Sequence, residues 1–346
     1  MTALKIEQGV SLAPYTSLEL GGAAEHFARI HERDQLIEAL SWAHKAGQRV
    51  TMLGGGSNVI VSDSGIAGLV LRMETQGLSL DSTSGRVTAQ AGESWDTLVE
   101  RSVAAELSGI ECMSGIPGSV GAAPIQNIGA YGQELSQTVK AVEVLDMRSL
   151  TTRWVERAAC GFSYRHSRWK RDPGQEVVLA LQLQLAPLAR PHVHYAELVR
   201  ALAGAEPTPL RVRQHVLELR RNKSMLLEVA SSDPNRRSVG SFFLNPVVSA
   251  SEAERVRALA GELPQYPQAD GTVKLSAAWL IEHSGTHKGE RKGAVGVSSR
   301  HSLALVHHGG GTTRALLDLA AELRARVQKN FGVELEIEPQ RLGSDP

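Results

Sequence analysis

Residues 114–132 read SGIPGSVGAAPIQNIGAYG, with glycine at 115, 118, 121, 129 and 132 and no Lys, Arg, Asp or Glu. So bare a stretch is ill suited to the interior of a helix or strand, because glycine costs either one backbone entropy and gives it nothing to pack. It is a turn whose backbone comes close to something. LGGGSNV, at 53–59, is a shorter stretch of the same kind between two apolar runs. Glycines in a row let N–H groups approach an anion and let the chain reach positive φ. Neither stretch is GxxxxGK[ST], since no Lys follows, and neither is GxGxxG with an acidic residue ~20 positions on. A single turn of this type is most simply a tight loop. Two uncharged ones suit a ligand that joins phosphate to a broad flat heterocycle, such as a flavin dinucleotide.

The chain has 346 residues, 42% hydrophobic and 21% charged, enough for two or three domains with a large core. Lys plus Arg and Asp plus Glu balance at 37 each, so no nucleic-acid partner is expected. No apolar run reaches the ~18 residues of a membrane helix, and the N-terminus lacks the apolar core of a secretory signal. A soluble, cytoplasmic protein without a membrane partner is expected. Cys112 and Cys160 form no CxxC or zinc spacing and read as reduced thiols. His192 with His194, and His283 with His287, lack a completing carboxylate or thiolate, so no metal is expected.

Helical and strand periods mix along the chain, which points to an α/β or α+β class. RDQLIEALSWAHKAGQ puts Leu36, Ile37, Leu40 and Ala43 on one helical face, and SWDTLVERSVAAELSG is a helix with Leu98 and Val99 inward and Gly109 as its stop. KAVEVLDM and EVVLALQLQLAP are strands. In the second, Leu179, Leu181, Leu183 and Leu185 alternate with Ala180, Gln182 and Gln184, as in a half-buried strand. EPTPLRVRQHVLELRRNK is a helix capped by Thr208 with Pro209 first. SSDPNRRSVG reads as a linker or mobile loop, SFFLNPVVS as a strand, and Ser251-x-x-Glu254 as a capping box. TTRALLDLAAELRARVQKNFG stripes Leu316, Leu319, Leu323 and Val327 and stops at Gly332, and VELEIEPQRLG closes the chain as a strand. One nucleotide-binding unit is expected before about residue 222 and a separate domain after it.

GGGSNVIVSDSGIAGLVL, GIPGSVGAAPIQNIGAYGQEL, CGFSYRHSRWK, GSFFLNPVV, YPQADGTVKLSAAWLI and LEIEPQRLG occur in the order seen in one family. From about Thr16 to Gly343 the chain closely resembles the UDP-N-acetylenolpyruvoylglucosamine reductases. The resemblance implies an α+β protein, with a two-part FAD-binding fold of the vanillyl-alcohol-oxidase (PCMH) type and a C-terminal α+β substrate-binding domain. It places the FAD subdomains at 1–72, joined by a C-terminal strand at 333–346, and at 73–222, with the substrate domain at 223–332. The implied activity is NADPH-dependent reduction of the enolpyruvyl ether of UDP-N-acetylglucosamine to UDP-N-acetylmuramate, a step of peptidoglycan precursor synthesis, by a monomer. Hydride would pass from flavin N5 to the methylene carbon. FAD would be non-covalent, because the glycine loops contain neither His nor Cys. Two other readings are another PCMH-type flavin oxidoreductase and a non-redox nucleotide-sugar binding protein. The motifs between Lys223 and Val306 argue against the first, and the joint presence of Arg165, Ser241 and a terminal Glu argues against the second.

By the same resemblance, Gly54, Gly55, Gly56, Ser57 and Asn58 with Gly115, Ile116, Pro117, Gly118, Ser119 and Gly121 would wrap the FAD pyrophosphate and adenosine side. Gln126, Asn127, Gly129, Ala130, Tyr131 and Gly132 would lie near the isoalloxazine ring. Backbone dipoles would hold the diphosphate with no fixed positive charge. Ser241 matches the family's proton donor, and Arg165 its arginine, whose fork suits a substrate carboxylate. Glu338 matches the third member. Val333, Leu335 and Ile337 share one strand face and Glu334, Glu336 and Glu338 the other. This segment departs from the family's usual LEPEVR, with Pro339 later and Gln340 in place of a common Arg, so Glu336 is kept as the alternative. Tyr164, Tyr195, Lys223, Asn245 and His301 are expected at the substrate, with Ser302 a further candidate. Tyr195, in HVHYAEL, matches the tyrosine loop of one family subtype, and the segment after Lys223 is longer than the usual KLPDP version.

Overall fold

The computed structural model describes residues 3–227 and 232–343. Part of the expected 224–240 loop, residues 228–231, thus lies outside the described residues. The chain forms two units. One holds Met1–Val10, Ala24–Gly56 and Ala67–Arg221, and the other Ser11–Ala23, Ser57–Ile66 and Asn222–Pro346.

The first unit is built on two sheets. One orders its strands Glu7–Ser11, Ala23–Ile30, Ile66–Met73 and Val50–Leu53, the last two parallel. The other is antiparallel, in the order Thr152–Glu156, Val139–Asp146, Glu176–Gln184, Arg86–Gln90, Leu78–Asp81. Glu176–Gln184 is central and buried on both faces, not half-buried as its alternation suggests, and Ala180 is fully enclosed. A register shift between Glu143 and Val144 divides it. Val177 and Leu179 pack with Leu36, Leu40 and Leu69, whereas Leu181 and Leu183 pack with Trp95, Leu98 and Val142. A bulge changes which side chains face which side, so strict period-2 reading fails there.

Helix Arg33–Lys45 buries Leu36, Leu40 and Ala43 as expected. Helix Trp95–Ala104 starts at Ser94, whose hydroxyl accepts from Thr97 N–H at 3.4 Å. It stops well before Gly109, because Glu106 itself takes a left-handed φ of 57° and Leu107–Ser108 turns away to pair with Ala186–Pro187. Thr208 caps helix Pro209–Asn222 through Arg211 N–H at 3.2 Å.

The second unit has its own core, in which Phe242, Phe243, Leu280, Ile281, Leu316, Leu319, Leu323 and Leu335 meet. Helix Thr313–Phe331 ends on Gly332 at φ 64°, as its sequence indicates. Its start holds a cap invisible in the local sequence: Asp63 accepts from the N–H groups of Thr313 and Arg314 at 2.8 and 2.9 Å. The capping box sits at Ser249 and Glu252, two residues before the expected pair, because the same spacing recurs where the strand Val247–Val248 ends. In SFFLNPVVS, Val247–Val248 is a two-residue strand paired with Val273 and Lys274, and Phe243 forms an isolated bridge to Ile337. The closing segment is likewise extended with only Gln340–Leu342 as strand, parallel to Val59–Val61. The described part of SSDPNRRSVG is no linker. Asn235 is buried and bonded to Ser299 through both ends of its amide, at 3.0 and 3.1 Å, Ser238 bridges Val306, and the Glu19 carboxylate accepts from both Arg236 and Arg237.

Among the described residues, no helix is long and apolar enough to cross a membrane.

Candidate functional site

In the first unit the two glycine stretches lie directly against each other. A Cβ added at Gly55 would fall 2.6 Å from Gly118 Cα, and one at Gly54 would fall 2.6 Å from Ser119 Oγ. The backbones therefore approach more closely than any side chain permits. The N–H groups of Gly55, Gly118 and Ser119 have no hydrogen-bond partner among the described residues. Ser119 Oγ is buried and also without one. A buried hydroxyl left unpaired costs about 1–3 kcal/mol. The set is rich in donors and carries no charge of its own, which fits the oxygens of a diphosphate.

Other glycines of the loop are spent on packing. Gly121 donates to Ala91 C=O at 2.8 Å, and its missing Cβ would meet Ala91 Cβ at 2.6 Å. Gly115, at φ 70°, donates to Asp96 Oδ1 at 2.6 Å and accepts from Arg220 Nε at 3.0 Å. Arg213 closes on Asp96 with two bonds of 2.6 and 3.0 Å. Burial alone would raise the Asp96 carboxyl, but Arg213 and the Gly115 N–H hold it below the usual carboxylate range. The loop itself contains no Lys or Arg. A buried guanidinium does reach it, from a helix 105 residues along the chain. Asp96, Arg213 and Arg220 were missed because each looks locally like an ordinary helical surface charge.

The 126–132 segment is held from behind. Asn127 is fully buried, donates to Ser163 C=O at 3.0 Å and to Glu134 at 3.2 Å, and accepts from Ser136 N–H at 2.9 Å, so its side chain is a brace. Arg165, at φ 53°, donates to Gly129 C=O at 2.6 Å and to Asn127 C=O at 3.4 Å, with Tyr164 beneath its guanidinium. Tyr131 meets Tyr195 edge to face at 5.4 Å, and a Cβ on Gly132 would strike His194 Nε2 at 2.6 Å. The segment HVHY therefore lies on this loop. Burial pushes the Tyr131 hydroxyl far above its usual range, so it stays protonated.

In the second unit the segments that carry Ser241 and Glu338 are joined through backbone. Phe242, next to Ser241, donates to Leu303 C=O at 2.8 Å and accepts from Glu338 N–H at 3.0 Å. The Ser241 hydroxyl is half-buried with no hydrogen-bond partner among the described residues. Glu338 is half-buried while Glu336 is exposed. Asn245 Oδ1 accepts from Ala277 N–H at 2.9 Å, fixing its amide at the start of helix Ala277–His283. His301 Nδ1 accepts from Leu303 N–H at 3.1 Å, and the Ser302 hydroxyl turns inward to Ala278 C=O at 3.3 Å. Lys223 directly follows helix Pro209–Asn222.

The FAD-binding domain family matches residues 24–153, and the C-terminal domain of UDP-N-acetylenolpyruvoylglucosamine reductase matches residues 233–342. The UDP-N-acetylenolpyruvoylglucosamine reductase of Thermobifida fusca is 46% identical over 350 residues, covering 97% of this chain and 98% of that one. The Pseudomonas aeruginosa protein of that name is 39% identical and covers 97% and 99%. The crystal structure of the Thermus caldophilus reductase aligns with a TM-score of 0.68 at 26% identity, over 98% of this chain and 100% of that one.

Proposed function

The chain belongs to the UDP-N-acetylenolpyruvoylglucosamine reductase family, and from that premise we propose that it uses NADPH to reduce the enolpyruvyl ether of UDP-N-acetylglucosamine in the cytoplasm, with Arg165, Ser241 and Glu338 as its catalytic residues. The observation that carries the cofactor half is the set of unpaired donors where Gly54 and Gly55 meet Gly118 and Ser119. Those N–H groups and the Ser119 hydroxyl would hold the FAD diphosphate, and the 126–132 segment would border the ring. When bound, FAD supplies the hydride-transfer chemistry.

The protein's own residues then have two tasks. Adding hydride to the methylene carbon leaves negative charge on the neighbouring carbon and its carboxylate. The Arg165 guanidinium, oriented by the carbonyls of Asn127 and Gly129, stabilises that charge. The Ser241 hydroxyl gives its proton to the carbon, and a hydroxyl can do so because the developing enolate is a strong base. Glu338, whose backbone N–H bonds the carbonyl of Phe242 next to Ser241, would orient the proton exchange. Tyr164, Tyr195, Lys223, Asn245 and His301 bind the substrate.

A visible spectrum with anaerobic titration tests the proposal. The protein should carry a flavin band that bleaches with NADPH and returns with the enolpyruvyl substrate. A flavin that NADPH reduces but the substrate fails to reoxidise would overturn the substrate assignment. Protein that takes up no FAD would overturn the cofactor assignment.

A further inference from the structure

The turn 113–119 is splinted along the first turn of helix Trp95–Ala104. Trp95 Nε1 donates to Met113 C=O at 3.1 Å, Trp95 N–H to Gly118 C=O at 3.0 Å, and Asp96 accepts from Gly115 N–H at 2.6 Å. A trans peptide points its C=O and N–H in opposite directions. With the Gly118 carbonyl turned to the helix, the Ser119 N–H is turned away from it. At the upstream end of the same turn, Gly115 is gripped on both sides by Asp96 and Arg220. Arg213 fixes the carboxylate with two bonds and offsets its charge, which would otherwise repel a diphosphate.

We propose that Asp96 is a positioning residue for the cofactor, acting through the Gly115 peptide to hold the N–H groups of Gly118 and Ser119 toward the FAD diphosphate. This rests on the cofactor reading above. An ion pair that only braces the fold would have no such link, and the two cases separate in a background that removes the charge. Arg213→Met spares the fold a buried guanidinium left with only the more distant Glu100, at 3.9 Å, once Asp96 is altered, and swapping a buried pair for apolar groups is often neutral. In that background Asp96→Asn keeps an oxygen acceptor for Gly115, whereas Asp96→Ala has none.

The test is FAD affinity of the full chain stripped of flavin, read by quenching of FAD fluorescence, with thermal melting alongside. Asp96→Ala/Arg213→Met should bind FAD at least tenfold more weakly than Asp96→Asn/Arg213→Met, while the two melt within a few degrees of each other. Equal affinities would overturn the proposal, as would a loss of affinity that simply tracks the melting temperature. If the unaltered chain binds no FAD, the cofactor reading fails and takes this inference with it. If it binds FAD and the variants are equal, only the inference fails.

Discussion

Gly55→Ala probes the cradle with a single methyl group. The new Cβ would lie 2.6 Å from Gly118 Cα, 3.0 Å from its carbonyl carbon and 3.1 Å from Ser119 N. All three are backbone atoms, so no side chain can swing aside. Carbon atoms sit comfortably at about 3.5–4.0 Å, so the two loops must separate by roughly 1 Å. A hydrogen bond of about 2.9 Å stretched by that much is no longer one. Losing two bonds to a charged phosphate, at about 1.5–3 kcal/mol each, removes at least ~3 kcal/mol. FAD affinity should therefore fall by about 100-fold or more. Overpacking adds about 1–3 kcal/mol of destabilisation to the protein without ligand. Gly47→Ala is the control: Gly47 is at φ 64° with nothing within 4 Å of the added methyl, so strain appears there without any change at the cradle. The assay is FAD titration of stripped protein beside thermal melts of both variants. A Gly55→Ala protein whose FAD affinity stays within threefold of the parent would refute the argument, because the cradle would then not depend on the close approach.

Ser241→Ala should leave flavin reduction by NADPH near normal and slow reoxidation by the enolpyruvyl substrate severely, as read by stopped-flow absorbance; equal slowing of both halves would remove the proton-donor role. Arg165→Lys, which replaces a fork held by two carbonyls with a point charge, should lower the substrate half-reaction by about 10–100-fold, the worth of one charged hydrogen bond. Both cysteines are fully buried, and burial pushes the Cys160 thiol up to about 11 and Cys112 higher still, so neither should react with a thiol reagent at neutral pH until the protein unfolds. Burial would raise the Glu19 carboxyl, but Arg236 and Arg237 hold it below its ordinary 4.5, so its contribution to stability is present above that pH and is lost as pH falls through the lower folded value. Melts of Glu19→Gln against the parent should therefore differ at pH 7 and converge in acid.

The local chemistry of the chain determined its helices and its family. The stripe of Leu316, Leu319 and Leu323 with a closing glycine makes helix Thr313–Phe331 whatever surrounds it, since period and cap are local properties. The glycine loops were legible for the same reason: absence of side chains is itself a sequence signal, and here it marks where two backbones nearly touch. Ser241, Arg165 and Glu338 were legible only by resemblance, for nothing in an isolated Ser, Arg or Glu announces chemistry. Tertiary structure decided what depends on distant partners. Asp63 caps a helix 250 residues away, Asn235 turns an apparent linker into a packed segment, and a bulge in the central strand defeats its alternation. It also decided that the charge-free loop is gripped by charges from elsewhere. Asp96, Arg213 and Arg220 belong to helices whose sequences give no hint of one another, and long-range charge pairing leaves no periodic trace for a sequence to show.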